Sequence, residues 1–259
     1  LSYQDTILNI LLPIAIVDNP STIDEIISNC KISKYTTETL LEVACAGGIT
    51  IKVDDKYVNS LVANAFLYNE MTKVNFNFTK DVCYLGASEL FQSFAKSEPI
   101  GLRKFFGNYE TIYNALHILP EKVKKSWFDF DHFYSDLCFE DVLKIICKDN
   151  LTQIFDIGGN TGKFEQACLD YDKNIIVNMI DLSENIEVAK KNLKNDRLKF
   201  HCVNVLKDAF PAISGAVFMS QFLDCFSKEQ IVFILKRLIK SSDKEIKIYI
   251  LEPFIDKQK

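Results

Sequence analysis

At 259 residues, with 48% apolar and 25% charged side chains, the chain has the make-up of an ordinary globular protein, with room for two domains or one large core. A net charge of −5 argues against a nucleic-acid binder, which carries a basic field, and no apolar run approaches the roughly 18 residues of a membrane span. Eight cysteines without a C-x-x-C pair read as thiols of a reducing cytoplasm, so neither disulfides nor a metal is expected.

In chain order, Tyr3 to Val17 suits an amphipathic helix, and Pro20-Ser-Thr22 opens a second, with Ser21 or Thr22 as cap and Asp24 and Glu25 in its first turn. A third helix runs from Ser33 to Ala46 and stops at Gly47-Gly48. Two short strands, Ile49 to Val53 and Lys56 to Val58, follow around Asp54-Asp55. Three helices and a hairpin make a winged helix. Its third helix sets Lys34 against Glu38 and Glu42, too acidic to lie on phosphates, so dimerisation is the better role.

Residues 60 to 127 read as further helices rich in aromatics, most of them core or dimer-interface side chains. The segment Ser126 to Asp136 then packs three carboxylates, His132, Tyr134 and the sole tryptophan into eleven residues. Polar groups among aromatics are costly to bury unless they bind each other or a ligand. Either a helix turns its acids to water, or this stretch closes over a ligand with His132 or Tyr134 near the reacting group.

Gln153-Ile-Phe-Asp-Ile-Gly-Gly-Asn-Thr-Gly-Lys163 organises the rest: a buried strand, an acid, a glycine-rich turn and a helix. A dinucleotide G-x-G-x-x-G starting at Gly158 meets Asn160 and Lys163, and a P-loop fails because Phe164 follows Gly162-Lys163. What remains, Asp156-x-Gly158-Gly159-x-Thr161-Gly162, resembles the first motif of class I S-adenosylmethionine (SAM)-dependent methyltransferases. A second strand ends in Asp181, placed to accept ribose hydroxyls in NAD and SAM sites alike, and Ser183 is set to cap the helix from Glu184 to Lys194. Strands at Leu198 to Val203, Ala216 to Met219 and Ile246 to Leu251, with a helix from Lys228 to Ile239, complete a doubly wound parallel α/β sheet of Rossmann-like form. Asp156, Asp181, Asn204, Ser220 and Glu252 all fall at the carboxyl ends of its strands, where such sheets bind ligands.

The order of parts is similar to the plant-type O-methyltransferase family, bacterial branch. Four segments carry the likeness: Phe155 to Gly162, Ile180-Asp-Leu182, Met219 to Ser227 with Lys228-Glu229, and Ile248 to Pro253. The resemblance implies a winged-helix dimerisation domain over 1–125, a SAM-binding domain over 126–259, a homodimer, and methylation of a small aromatic or polyketide-like hydroxyl. It also implies that Gly158 and Gly159, with Asp156, hold the amino-acid part of SAM, that Asp181 and Leu182 hold the ribose, and that Asn204 and Val205 hold the adenine, with Ser220 nearby. Asn204 stands where members usually carry aspartate, and its carbonyl oxygen can still accept the adenine amino group.

A larger departure falls on the base. Where the family's catalytic histidine stands, before an Asp-Trp pair, this chain has Asp224, Cys225 and Phe226. An unperturbed carboxylate is a weak base near neutrality unless burial or a second acid, here Glu252, raises it. His132 is the rival base. The alternatives are a winged-helix regulator and a catalytically weakened SAM-binding protein. Family members continue past the fifth strand, which implies a native chain extending beyond Lys259.

Overall fold

The computed structural model describes residues 19–149 and 151–254. The helix expected from Tyr3 to Val17 lies outside them. The chain divides into two compact units: one holds residues up to Asn108 together with Leu119–Phe130, and the other holds Tyr109–Ile118 and everything from Asp131 onward.

In the first unit, α1 (Ile23–Cys30), α2 (Lys34–Ala46), β2 (Thr50–Val53) and β3 (Lys56–Asn59) follow the expected pattern, and Ser21–Thr22 add a short strand, β1, where only a helix cap was expected. Thr22 and Glu25 close a capping box on α1, and the Ser33 hydroxyl accepts the Thr36 amide to start α2. The strands form an antiparallel sheet in the order β1-β3-β2. Helices α3 (Leu61–Tyr68), α4 (Glu70–Phe78), α5 (Tyr84–Ala87), α6 (Leu90–Lys96) and α7 (Ile100–Phe106) complete it. Gly86 and Gly101 meet so closely that a Cβ on Gly101 would lie 2.3 Å from the Gly86 carbonyl oxygen. Of the aromatics, Phe91 is 79% exposed and Phe94 76%.

In the second unit, α8 (Ile112–Ala115), the end of α9 (Glu121–Asp136) and α10 (Phe139–Ile146) precede the sheet. β4 (Gln153–Ile157), α11 (Lys163–Tyr171), β5 (Ile176–Asp181), α12 (Ser183–Asn192), β6 (Leu198–Cys202), β7 (Ala216–Ser220), α13 (Lys228–Lys240) and β8 (Lys247–Leu251) follow. All five strands are parallel, in the order β6-β5-β4-β7-β8. This is the doubly wound, Rossmann-like arrangement expected from the sequence. Helices cover both faces, which is why the strands read as near-continuous apolar runs. Ile154, Val177, Met179 and Phe218 pack on the face of α10 and α11; Phe155, Ile180, Val217 and Met219 pack with Ile234 and Leu238 of α13.

One polar line crosses the α13 face. Asn178, 3% exposed, offers its amide to Gln153 Oε1 at 3.4 Å and its carbonyl oxygen to His201 Nε2 at 3.1 Å, while Gln153 donates to Ser214. Strand order reverses between β4 and β7, so the crevice beyond their carboxyl ends is the expected ligand position.

Candidate active site

Beyond β4 the backbone turns back on itself. Gly158 has φ +88° and donates its amide to Ile180 O at 2.9 Å; Asn160 takes the left-handed conformation at φ +53°, which asparagine tolerates better than most residues. The Asn160 amide then donates to Asp181 Oδ2 at 2.8 Å. Asp181 Oδ1 accepts from the Leu182 amide at 2.6 Å and from Asn185 Nδ2 at 2.9 Å. Asp181, not Ser183, therefore organises the start of α12: Ser183 is already helical, Leu182 is the cap residue, and the Ser183 hydroxyl bonds Glu184. The tips of β4 and β5 are joined through one carboxylate.

The last turn of α9 lies against the same glycine-rich turn. Asp131 Oδ2 accepts from Asn160 Nδ2 at 2.9 Å, His132 Nε2 meets Thr161 Oγ1 at 3.1 Å, and His132 Nδ1 meets Asp136 Oδ1 at 3.3 Å. Asp136 Oδ2 accepts from Lys163 Nζ at 2.7 Å. Burial works upward on Asp136, but hydrogen bonds from His132 and Lys163 prevail and hold it below the usual carboxylate range. Asp131 is raised, chiefly by burial. The unusual composition of this segment is thus accounted for by partners within the fold, and both nitrogens of His132 are engaged.

Asp156 is 3% exposed and Glu165, on the first turn of α11, is fully buried beside it. Burial pushes Asp156 up to about 7. Glu165 is raised well above its ordinary value, by burial first and then by the charge of Asp156. Neither Glu165 oxygen meets an N–H or O–H donor.

Across the crevice, the Phe222 ring covers Gly158: a Cβ there would lie 2.5 Å from Phe222 Cδ2. Glu252 Oε1 accepts from the amides of Phe222 and Leu223 at 2.9 and 2.8 Å and so holds the short helical turn Leu223–Cys225 that carries Asp224. Burial raises Glu252, and Asp224 adds to the shift to a smaller extent. Asp224 itself is exposed. The Tyr113 hydroxyl on α8 is pushed far up, by burial first and then by Cys225, Asp224 and Asp131, so these groups share one neighbourhood. Beyond β6, Asn204 uses Oδ1 to accept the Leu206 amide at 3.1 Å, and Val205 is buried.

These parts enclose an open hollow lined by Asp131, His132, Asp156, Gly158, Asn160 and Ser220, among others. Of the expected site residues, it brings together Asp156, Gly158, Gly159, Ser220 and His132. Asp181 borders it through Asn160, whereas Asp224, Glu252, Leu182, Asn204 and Val205 are not among its lining residues.

Residues 94–259 match the family model of the O-methyltransferase domain. The chain belongs to the O-methyltransferase family. It is 26% identical over 203 residues to acetylserotonin O-methyltransferase of Gallus gallus, an alignment that takes in 74% of this chain and 58% of that protein. The chain therefore spans little more than half the length of that curated relative. Among solved structures it resembles mitomycin 7-O-methyltransferase, with a TM-score of 0.74 at 14% identity over 98% of this chain and 76% of that one. It also resembles an O-methyltransferase of neocarzinostatin biosynthesis, solved with SAM and 2-hydroxy-5-methyl naphthoic acid, with a TM-score of 0.69 at 19% identity over 95% and 79% of the two chains. At these identities the two structures establish the fold.

The residues fit the SAM expected of an O-methyltransferase. The buried Ser220 hydroxyl lines the hollow with no hydrogen-bond partner, and the buried Asp156 carboxyl lines it too, so the site offers an acceptor for a cationic group and a hydroxyl awaiting a polar one. Sequence reasoning missed three residues here. Phe222 on Gly158 is a contact between the segments that follow β4 and β7, which no local pattern reveals. Lys163, which fits no P-loop, stands four residues beyond Gly159 at the mouth of the turn. Glu165 carried one available signal: a charged residue between Phe164 and Ala167 on a helix packed against a buried sheet.

Proposed function

We propose that this protein is a SAM-dependent O-methyltransferase acting on a small aromatic or polyketide-like hydroxyl, as a cytoplasmic homodimer with a winged-helix dimerisation domain over 1–125 and a catalytic domain over 126–259. The observation that carries this reading is the joining of Asp156, the Gly158–Asn160 turn and Asp181 at the tips of adjacent strands within a matched O-methyltransferase domain. SAM supplies an activated methyl group. This chain's residues would position it and remove a proton: Asp156 would hold its cationic amino-acid end, with Gly158 and Gly159 letting the backbone turn there, Asp181 and Leu182 would hold the ribose, and Asn204 and Val205 the adenine. The aromatic acceptor is supported by the relative solved with a naphthoic acid and by Tyr113, Cys225 and Phe226 beside Asp224.

Asp224 is our preferred general base, because its turn is held by Glu252 and its carboxylate is open to solvent and reactant. His132 is engaged with Thr161 and Asp136 and serves better as a positioning residue. Dimerisation is supported by Leu90, Phe91 and Phe94, which leave α6 with a largely exposed apolar face. Among the described residues no helix is long and apolar enough to cross a membrane.

A weakened SAM-binding protein is the second reading, favoured by the replacement of the family's histidine with Asp224. Calorimetric titration with SAM, followed by a mass-spectrometric search of small-molecule extracts for compounds gaining a methyl group, tests both. Binding with a methylated product supports the enzyme, binding without product supports the second reading, and failure to bind removes both. With an acceptor found, D224A is expected to lower kcat at least about a hundredfold with SAM affinity unchanged, while H132A weakens SAM binding as well.

A further inference from the structure

The Asp156–Glu165 pair is not explained by the fold or by the proposed reaction. Glu165 lies at the start of α11 with no exposed surface, and its two carboxyl oxygens meet no N–H or O–H donor. Its Oε1 lies 2.2 Å from where a Cβ on Gly159 would stand, and Asp156 Oδ2 lies 3.1 Å from the same point. Two buried acids therefore flank one glycine of the cofactor turn. Two ionised carboxylates side by side in a buried place repel each other, whereas one proton between them supplies the donor that Glu165 lacks and removes the repulsion.

We propose that Glu165 is a neutral carboxylic acid that donates its proton to Asp156, a positioning residue that holds the Asp156 carboxylate toward the cationic end of SAM and makes SAM binding release a proton. The inference rests on the methyltransferase reading above. In the unliganded protein burial favours the protonated form of both acids, with Asp156 pushed up to about 7 and Glu165 raised well above its ordinary range. A cation arriving at Asp156 favours its ionised form. The Asp156 proton then passes to solvent, and the Glu165 proton stays, bridging to Asp156. The other ionisable groups facing the pair are Asp181 from β5 and Cys168 from α11, whose thiol burial keeps protonated; Asp131, His132 and Lys163 line the same hollow.

The test is titration calorimetry of the full chain with SAM from pH 6 to 8.5, in two buffers of different ionisation enthalpy. Wild-type affinity is expected to rise about tenfold between pH 6 and 8, with about half a proton released at pH 7. D156N abolishes both effects. E165M, which fills the same buried space without a donor, moves the curve to higher pH, so that it binds at least about fivefold more weakly at pH 7 and approaches wild type at the alkaline end. E165Q, which keeps a donor, restores the wild-type midpoint. Affinity flat across this range, or E165Q displacing the midpoint as far as E165M, overturns the inference while leaving the methyltransferase reading intact. Absence of SAM binding by the wild type at every pH overturns the reading and the inference together.

Discussion

The carboxylate of Glu252 accepts the backbone amide of Phe222 at 2.9 Å, tying the segment beyond β8 to the segment beyond β7. With its bond to the Leu223 amide, this contact sets the turn from which Asp224 projects and keeps the Phe222 ring on Gly158. E252A leaves two amides without their acceptor and is expected to cost about 1–3 kcal/mol of stability. E252Q retains an acceptor oxygen and should lose about half as much or less. Chemical denaturation of the two variants measures the difference, and equal losses would mean that the charge, rather than the acceptor, matters.

Gly158→Ala faces two penalties at once. The position has φ +88°, which an L side chain adopts at a cost of about 1–2 kcal/mol, and the new methyl meets the Phe222 ring. SAM affinity is expected to fall at least about tenfold, measured by titration calorimetry. The double variant carrying F222A should fold better than G158A alone, because the steric half of the penalty is then gone.

Asp181→Asn keeps the size of the side chain but loses the charge that receives the Asn160 and Leu182 amides and Asn185. Hydrogen bonds to a charged group contribute about 1.5–3 kcal/mol. The variant should therefore bind SAM about tenfold or more weakly and loosen the 158–162 turn. Faster hydrogen exchange at the Asn160 amide would report that loosening; unchanged exchange would mean that the turn is held by other contacts.

Asp156 also links stability to pH in the unliganded protein. Its folded-state pKa of about 7 lies above its ordinary value of 3.8, so the fold favours the protonated form. That contribution is fully present below 3.8 and is lost as pH rises through about 7. The melting temperature should fall across this interval, and D156N should remove most of the fall. Saturating SAM should offset it at the alkaline end, because the ligand favours the ionised carboxylate.

The parallel sheet and its order of strands were legible because each strand is buried on both faces and reads as an apolar run. Gly158 and Asp181 were legible because a turn and a strand end carry local signatures. What the chain did not disclose is which groups from distant segments meet. The Ser126 to Asp136 stretch looked equally suited to solvent or to a reactant, yet Asp131, His132 and Asp136 find Asn160, Thr161 and Lys163 roughly thirty residues away. Ser183 looked like the cap of α12 because serine there fits the pattern, but the neighbouring Asp181 carboxylate had already organised that end. Local propensity was overridden wherever a longer-range hydrogen bond was stronger.

The amide of Asn178 has a consequence for how the strands find their alignment. Interior parallel strands, greasy on either side, carry little to tell the right pairing from one slipped by a residue. A shift of one position would swing Asn178 to the opposite face, away from Gln153 and His201, and strand its amide among hydrocarbon. This small polar key inside the sheet penalises mispairing of β4, β5 and β6, and thereby keeps Asp156 opposite Met179, two residues short of Asp181 along β5.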